Sequence, residues 1–166
     1  MGSYPIIFLD VDGVLNSLRW FHSNDYRALK ENYAASNTDT AVVLWRTHFD
    51  PAQVAMLKKI LDETGARIVL SSTWRLLDVT RAAFAMNRVA IPNLMKLWIG
   101  NTPHMKGRRG DDIDQWVRSV DFKGPFVIID DNSDMEPHSD KLVQTDPGNG
   151  LMKKHVAEII SRLTLP

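Results

Sequence analysis

The sequence predicts a three-layer α/β domain in which a parallel sheet carries helices on both faces. Short apolar runs of strand length alternate along the chain with amphipathic segments of helical period. The runs at residues 5–9, 67–70 and 125–129 are each followed at once by polar side chains. Strands that alternate with helices pair in parallel, and the binding sites of such sheets lie at the carboxyl ends of the strands. We therefore expect a functional site at that edge of the sheet.

The composition is typical of one globular domain. Of the 166 residues, 44% are hydrophobic and 24% are charged, so we treat residues 1–166 as a single domain with a substantial core. The 20 basic and 20 acidic side chains cancel, and the net charge therefore favours neither nucleic acid nor membrane as a partner. The chain has no cysteine, which excludes disulfides and thiolate metal sites. It also lacks a leader-like start and a run of membrane length, so we expect a cytoplasmic protein with no membrane association and no obligate protein partner.

Capping residues and apolar periodicity place the elements between and after these strands. Asp50 as N-cap, Pro51 at the first helical position and Gly65 at the end bound the clearest helix. The other predicted elements are a helix at residues 77–86, a strand or irregular edge at 94–99, a helix capped by Asp111 or Asp112 that ends near 120, a short strand at 142–143 and an amphipathic helix at 151–163.

The segment at residues 16–49 differs from the rest of the chain. It is polar, has no clear period, mixes aromatic with basic side chains, and is too long for a simple connection. We therefore expect a small insert or flap after the first strand. Two interpretations of its aromatic residues stay open: Trp20 and Trp45 either pack the insert onto the domain or belong to a lid that contacts the substrate.

Two carboxylates, Asp10 and Asp12, follow the first strand with one residue between them. Gly13 then gives the backbone the freedom to leave the strand sharply. Like charges at such a distance repel unless a cation lies between them or one of them holds a proton, and a hard divalent metal such as Mg²⁺ resolves the repulsion most simply. An ordinary surface turn explains an Asp-Gly pair when that pair stands alone.

The other two strands end in the same way. Ser71 and Ser72 follow the second strand, and Asp130 and Asp131 follow the third. Turn chemistry explains each ending separately, but it does not explain why all three buried strands end in ligands for metal or phosphate. The five histidines show no ligand spacing, so we do not expect a zinc site.

Three motifs stand in a fixed order along the chain: FLDVDGV around Asp10, IVLSS around Ser71 and VIIDDNSD around Asp130. Together they resemble the haloacid dehalogenase (HAD) superfamily of phosphohydrolases, whose first motif is Asp-x-Asp-Gly, whose second is a Ser or Thr, and whose fourth is an acidic pair or Asp-x-x-x-Asp. The resemblance spans about residues 6–134 and implies a Rossmann-like, HAD-like fold. More narrowly, LDVDGVLN, GARIVLSSTWR, RGDDIDQW, IIDDNSDM and LVQTDPGNGL resemble a small subgroup associated with Swiss Army Knife RNA repair proteins.

The third motif of the superfamily is a Lys at the start of the helix before the fourth motif. The matching position holds Arg109, in RRGDDIDQW, and Lys106 lies three residues earlier. Arg offers a planar fork to phosphate but is not equivalent to Lys. Which of the two side chains fills the role stays open.

The resemblance implies the reaction of a Mg²⁺-dependent phosphatase. In that reaction Asp10 is the nucleophile that carries a transient phosphoryl group, and Asp12 protonates the leaving oxygen and then activates water. Ser71 holds the phosphoryl oxygens, and Arg109 or Lys106 adds positive charge.

The same resemblance implies a Mg²⁺ site between the first and fourth motifs. Its ligands are Asp10, the backbone carbonyl of Asp12, and an acid from the pair Asp130 and Asp131. Asp134 either replaces Asp131 or only caps a turn.

Four further residues are predicted to contact the substrate: Ser72, Arg75, Trp20 and Trp45. Trp74, by contrast, fits better as a core or wall aromatic. Aromatic and cationic side chains together suit base stacking and phosphate charge, and the subgroup resemblance points the same way, so we expect a nucleotide or a phosphorylated nucleic-acid end as substrate. The alternatives are a phosphatase of a small metabolite, such as a sugar phosphate, and a non-catalytic phospho-acceptor or binding domain.

Overall fold

The structure is a computed structural model, and it describes residues 4–35, 47–76, 94–105 and 107–164. Within these residues five parallel strands form one sheet. The strands are β1 (Ile6–Leu9), β2 (Arg67–Leu70), β3 (Trp98–Asn101), β4 (Phe126–Asp130) and β5 (Leu142–Gln144). Their order across the sheet is β3-β2-β1-β4-β5, and every neighbouring pair is parallel. The first strand therefore lies at the centre, where the connections switch from one side of the sheet to the other.

Helices pack on both faces of this sheet, which confirms the predicted three-layer α/β fold. They are α1 (Leu18–Phe21), α2 (Asn24–Ala35), α3 (Pro51–Thr64), α4 (Leu94–Leu97), α5 (Arg109–Ser119) and α6 (Lys153–Thr164), and two 3₁₀ turns cover Thr73–Leu76 and Ser139–Lys141. Helices α3 and α6 pack together on one face of the sheet, and α5 packs on the other. None of the described helices is long and apolar enough to span a bilayer.

Alternating side chains of the strands supply a core on each face. Ile7 and Leu9 of β1 are fully buried in the core that α3 and α6 cover, together with alternate residues of β2 and β4. Ile6 and Phe8 lie on the opposite face and belong to the core that includes Ile113 of α5. Because helices cover both faces, β1 is apolar throughout rather than alternating.

Helix α5 begins earlier than predicted, and its cap comes from elsewhere in the chain. The sequence predicts Asp111 or Asp112 as the N-cap, but the helix begins at Arg109 and both aspartates lie in its first turn. Arg108, the residue before the helix, makes no capping hydrogen bond through its side chain. Instead the Arg109 amide donates to Asp134 Oδ2 at 3.3 Å, so a side chain from the loop after β4 caps the helix.

The remaining predicted elements agree in place with the structure but not always in type or length. Residues 94–99 are neither one strand nor irregular, because helix α4 leads directly into β3. Helix α6 begins at Lys153, two residues after its predicted start, where the Met152 amide donates to His155 Nδ1 at 3.1 Å. The helix predicted at residues 77–86 lies outside the described residues.

Trp20 connects the beginning of the insert to its end. Its side chain is buried, and its Nε1 donates to the Thr47 carbonyl at 2.9 Å, where the chain returns toward α3. Its ring packs edge-on against Tyr26 of α2, with 5.7 Å between the ring centroids. This placement corrects the predicted substrate contact, because the buried indole faces the protein. Trp45, the second tryptophan predicted to contact substrate, lies outside the described residues.

Candidate active site

The polar residues that follow β1, β2 and β4 meet beside helix α5. The Ser71 amide donates to the Leu9 carbonyl, and the Asp10 amide donates to the Ile129 carbonyl, each at 3.0 Å, so the ladders of the sheet continue to this edge. Alternation along the strands places Asp10, Ser71 and Asp130 on the face that α5 covers. The predicted edge of the sheet therefore brings these three side chains together.

Three carboxylates form an acidic cluster at this edge: Asp10, Asp130 and Asp131. One oxygen of each lies within 4.8 Å of the others. Gly13 permits the approach, since its φ is +70° and a Cβ atom there would lie 2.6 Å from the Asp131 carboxylate. Asp134, the predicted alternative to Asp131, is not part of this cluster, because its side chain caps α5.

Burial makes the acidic cluster costly to ionise without a cation. Burial raises the pKa of Asp10, although the charge of Arg109 opposes the shift. Burial, and then the charge of Asp10, raise the pKa of Asp130 to about 7. A hard divalent ion with carboxylate ligands, such as Mg²⁺, would neutralise these oxygens. The side chains of the cluster therefore fit the metal that the sequence predicts.

Arg109, from the first turn of α5, reaches into the acidic cluster. Its Nη1 lies 2.9 Å from Asp10 Oδ1 and also contacts Asp130 Oδ2. Burial opposes the charge of the guanidinium, but the two carboxylates outweigh this effect and raise the pKa of Arg109. The structure thus brings a fixed positive charge to the cluster from the position that matches the third motif. Lys106, the alternative, lies outside the described residues.

Two serines line the cluster on the side of β2. Ser71 is fully buried, and its Oγ has no hydrogen-bond partner within the described part of the chain. Buried hydroxyls without a partner are uncommon, and an oxyanion such as phosphate would satisfy this one. Ser72 is also buried, and its hydroxyl donates to the Asp10 carboxylate. Ser72, predicted to contact substrate, therefore holds the side chain of Asp10.

Asp12 stands apart from the acidic cluster and has three hydrogen-bond partners of its own. Asn16 Nδ2 and His48 Nε2 lie 2.8 and 3.1 Å from Asp12 Oδ1. Trp74 Nε1 lies 2.9 Å from Asp12 Oδ2. Burial disfavours the charge on Asp12, but these hydrogen bonds outweigh it and lower the pKa of Asp12 to about 2. The side chain is 59% exposed and therefore open to a ligand.

Nothing in the spacing of the sequence points to His48, which reaches Asp12 from a position 36 residues later. Its ring packs against Trp74 at 4.7 Å and against Phe21 at 5.3 Å between ring centroids. Trp74 is thus the wall aromatic that the sequence predicts, and it is also a hydrogen-bond donor to Asp12. The one available signal for His48 is its position at the end of the insert, where the chain comes back to the sheet.

Arg75 supports the site from behind, which corrects its predicted contact with substrate. Its side chain is 4% exposed, and its Nη2 lies 2.7 Å from Asp112 Oδ2 on α5. Its Nη1 donates to the carbonyl oxygens of Ser71 and Ser72. Because these bonds occupy both Nη groups and the side chain is buried, Arg75 ties the end of β2 to α5 and leaves the substrate to other residues.

A family model described as the HAD domain in Swiss Army Knife RNA repair proteins matches residues 6–156. The matched range contains the five strands of the described residues, the acidic cluster, Arg109 and His48. HAD domains are generally hydrolases of the phosphatase type and typically use a divalent metal. No curated protein and no solved structure shows a significant match to the chain.

Proposed function

The chain belongs to the HAD superfamily, in the family of HAD domains of Swiss Army Knife RNA repair proteins, and on that premise we propose that it is a Mg²⁺-dependent phosphomonoesterase that acts through an aspartyl-phosphate. One observation carries the proposal: the buried carboxylates of Asp10 and Asp130 share the guanidinium of Arg109 where three strands end. Phosphoryl transfer depends mainly on such positioning and charge neutralisation.

The metal would be held by the acidic cluster, Asp10, Asp130 and Asp131, together with the backbone carbonyl of Asp12. When bound, Mg²⁺ neutralises the negative charge of the phosphoryl oxygens and of the carboxylates around them. The raised pKa values of Asp10 and Asp130 support this assignment, because both carboxyls lie where their ionised forms need a cation.

In the first step, Asp10 attacks the phosphorus of the substrate. A bond forms between a carboxylate oxygen of Asp10 and phosphorus, while the bond between phosphorus and the leaving oxygen breaks. Asp12, which is ionised in the free protein and takes up a proton when the negatively charged substrate binds, gives that proton to the oxygen as it leaves. Ser71 Oγ, which has no other partner among the described residues, donates to a phosphoryl oxygen, and Arg109 adds positive charge.

In the second step, water releases the phosphoryl group from Asp10. Asp12, now ionised, takes a proton from the water, whose oxygen bonds to phosphorus as the bond between Asp10 and phosphorus breaks. Inorganic phosphate leaves, Asp12 releases the proton to solvent, and both aspartates return to their starting states.

The proposed substrates are nucleotides or phosphorylated nucleic-acid ends. The description of the matched family supports this class. The surroundings of Asp12 agree with it, because the side chain is well exposed, the His48 ring lies beside it, and Phe21 packs against that ring. An open site with aromatic rings beside it accepts an extended substrate that carries a base more readily than a small polar metabolite.

Phosphate release from a panel of esters tests the proposal. The panel contains nucleotides, oligonucleotides phosphorylated at the 3′ or 5′ end, sugar phosphates and a small aryl phosphate, each with Mg²⁺ and with excess chelator. We expect release with Mg²⁺, loss of release in chelator, and a preference for nucleotides or oligonucleotide ends. Full activity in chelator, or no release from any ester, would overturn the reaction. A clear preference for sugar phosphates would overturn only the substrate class.

A further inference from the structure

The two oxygens of the Asp12 carboxylate are bound unequally. Asp12 Oδ1 is bound by Asn16 Nδ2 and His48 Nε2, and within the described part of the chain Oδ2 is bound by Trp74 Nε1 alone. A carboxylate offers about four lone-pair positions, two on each oxygen. Protein groups therefore fill Oδ1, while one position on Oδ2 stays open to water or to a substrate atom.

His48 is placed to be a third hydrogen-bond donor to Asp12. Asn16 Nδ2 and Trp74 Nε1 can only donate, so Oδ1 and Oδ2 each accept a hydrogen bond from the protein. With its proton on Nε2, His48 donates to the second acceptor position of Oδ1.

Aromatic rings fix the direction of this hydrogen bond. The His48 ring packs against Trp74, Phe21 and Phe49, with 4.7, 5.3 and 6.1 Å between ring centroids. The side chain of His48 is 29% exposed, so it has little room to turn away from Asp12. Packing alone does not require a nitrogen here, because a phenyl ring would fill much the same space.

We infer that His48 is a positioning residue for the proton transfers of Asp12, and that it confines them to Asp12 Oδ2. The inference rests on the proposed function. In the first step Asp12 carries on Oδ2 the proton that it takes up when the substrate binds. The Oδ2–H bond then breaks and the proton passes to the leaving oxygen, as the bond of that oxygen to phosphorus breaks and the bond from Asp10 forms. In the second step Oδ2 receives a proton from water, as the water oxygen bonds to phosphorus and the Asp10 oxygen leaves. His48 does not contact the reacting atoms and acts only through Asp12. Because His48 lies in the insert, the insert helps to orient the side chain that transfers the proton.

Leaving groups of different basicity separate this role from a purely structural one. An alkyl phosphate needs a proton on its leaving oxygen, whereas 2,4-dinitrophenyl phosphate leaves as a stable anion. We expect H48F to lower kcat/KM for the alkyl phosphate by at least about 10-fold. The loss should be smaller than the 10²–10⁴-fold that a complete acid–base group contributes, because Asp12 itself remains. For the dinitrophenyl ester we expect a change of less than about 3-fold. The ratio kcat/KM is the suitable measure, since it reports the loss of transition-state stabilisation relative to free enzyme and substrate.

Two further variants make the test specific. H48Q keeps an N–H group near the position of Nε2 and should recover most of the loss on the alkyl phosphate. H22F is the matched control, because His22 also lies in the insert but is exposed and bonds to the Leu18 carbonyl. Thermal melts establish that each variant folds, and H48M, which also lacks a donor, replaces H48F if the phenyl ring is not accommodated.

The outcomes distinguish the inference from the function on which it rests. Equal losses on both esters, no loss on the alkyl ester, or no recovery in H48Q would overturn the positioning role of His48 and leave the phosphatase standing. If the wild-type protein releases phosphate from neither of these esters nor from any ester of the panel above, the proposed function itself fails.

Discussion

Arg109 Nη1 lies 2.9 Å from Asp10 Oδ1, so the first turn of α5 places a positive charge directly on the side chain that follows the central strand. The same guanidinium contacts Asp130 at the end of β4. One cation thereby joins the central strand, its neighbour and the helix that leads into β4. Substitutions of Asp10 and of Arg109 should therefore affect turnover to different degrees, since Asp10 is the proposed nucleophile and Arg109 supplies positive charge.

Asp10→Asn should abolish turnover and leave the fold intact. An amide does not attack phosphorus, so phosphate release should fall to background. Removing one of several repelling buried carboxylates should keep the thermal midpoint within about 4 °C of wild type, the shift caused by roughly 1 kcal/mol in a domain of this size. Asp62→Asn, on the exposed side of α3, is the control. Turnover within about tenfold of wild type would exclude Asp10 as the nucleophile.

Arg109→Ala should lower kcat by about 10²–10³-fold, the usual cost of losing one contact to the charge of a transition state. Lys106→Ala should cost distinctly less, and Arg109→Lys should fall in between, because Lys keeps the positive charge but lacks the planar guanidinium. Arg108→Ala is the control, since Arg108 is exposed and pairs with Asp111. The reverse ranking of Arg109 and Lys106 in the rate measurements would assign the third motif to Lys106.

The metal-free protein should lose stability as pH rises toward neutrality. The pKa of Asp130 is raised to about 7 in the folded state, above the value of about 4 that an aspartate has in an unfolded chain. The folded state therefore binds this proton more tightly, and the stability that results is fully present below about pH 4 and lost as pH rises through about 7. Thermal melts from pH 4 to 8 should show this decline in wild type and a flatter profile in Asp130→Asn.

Mg²⁺ should oppose the loss of stability that accompanies the rise in pH. Because the ion binds the ionised carboxylates, it should raise the thermal midpoint more at pH 8 than at pH 5. Parallel pH profiles for wild type and Asp130→Asn, with an equal effect of Mg²⁺ at both pH values, would contradict the assignment of Asp130 to the metal.

Trp20 should affect stability rather than substrate affinity. Trp20→Ala removes a buried ring and should lower the free energy of unfolding by about 3–5 kcal/mol. Trp20→Phe keeps most of the packing but loses the donor to the Thr47 carbonyl, at a cost of about 1 kcal/mol. The Michaelis constants of the folded variants should match wild type for both a nucleotide and a small aryl phosphate. A selective rise for the nucleotide would show that Trp20 contacts the substrate after all.

Local sequence is sufficient to predict the clearest helix and the strands that carry the acidic cluster. The helix that starts with Asp50 and Pro51 forms as expected, because the cap bond joins neighbours: the Ala52 amide donates to Asp50 Oδ1 at 2.8 Å. The strand ends are equally local, since apolar runs and the polar residues after them are adjacent in the chain. Parallel pairing places these ends at one edge of the sheet, and the strand order, which sets β1 beside β4, then brings Asp10 and Asp130 together.

Side-chain partners from distant segments are what local patterns do not encode. His48 meets Asp12 across 36 residues, and Asp134 caps α5 across 25, so neither contact has a spacing that a helix or a strand would impose. Arg75 illustrates the same limit from the other side. Its position beside the serines predicts a substrate contact, but the turn that follows β2 aims its guanidinium at Asp112.

Strand β1 is four residues long, and both of its faces are buried, which makes its length more critical than its exact composition. A conservative substitution within Ile6–Leu9 alters one contact, whereas the deletion of a single residue exchanges the two faces for the rest of the strand. Asp10 would then turn toward the apolar layer beneath α3 and α6, and Arg109 would lose one of the two carboxylates it now contacts. The chemistry of the site therefore depends on which face of the sheet each side chain of β1 points to. The chain can vary the residue types of this strand far more freely than it can gain or lose a residue there.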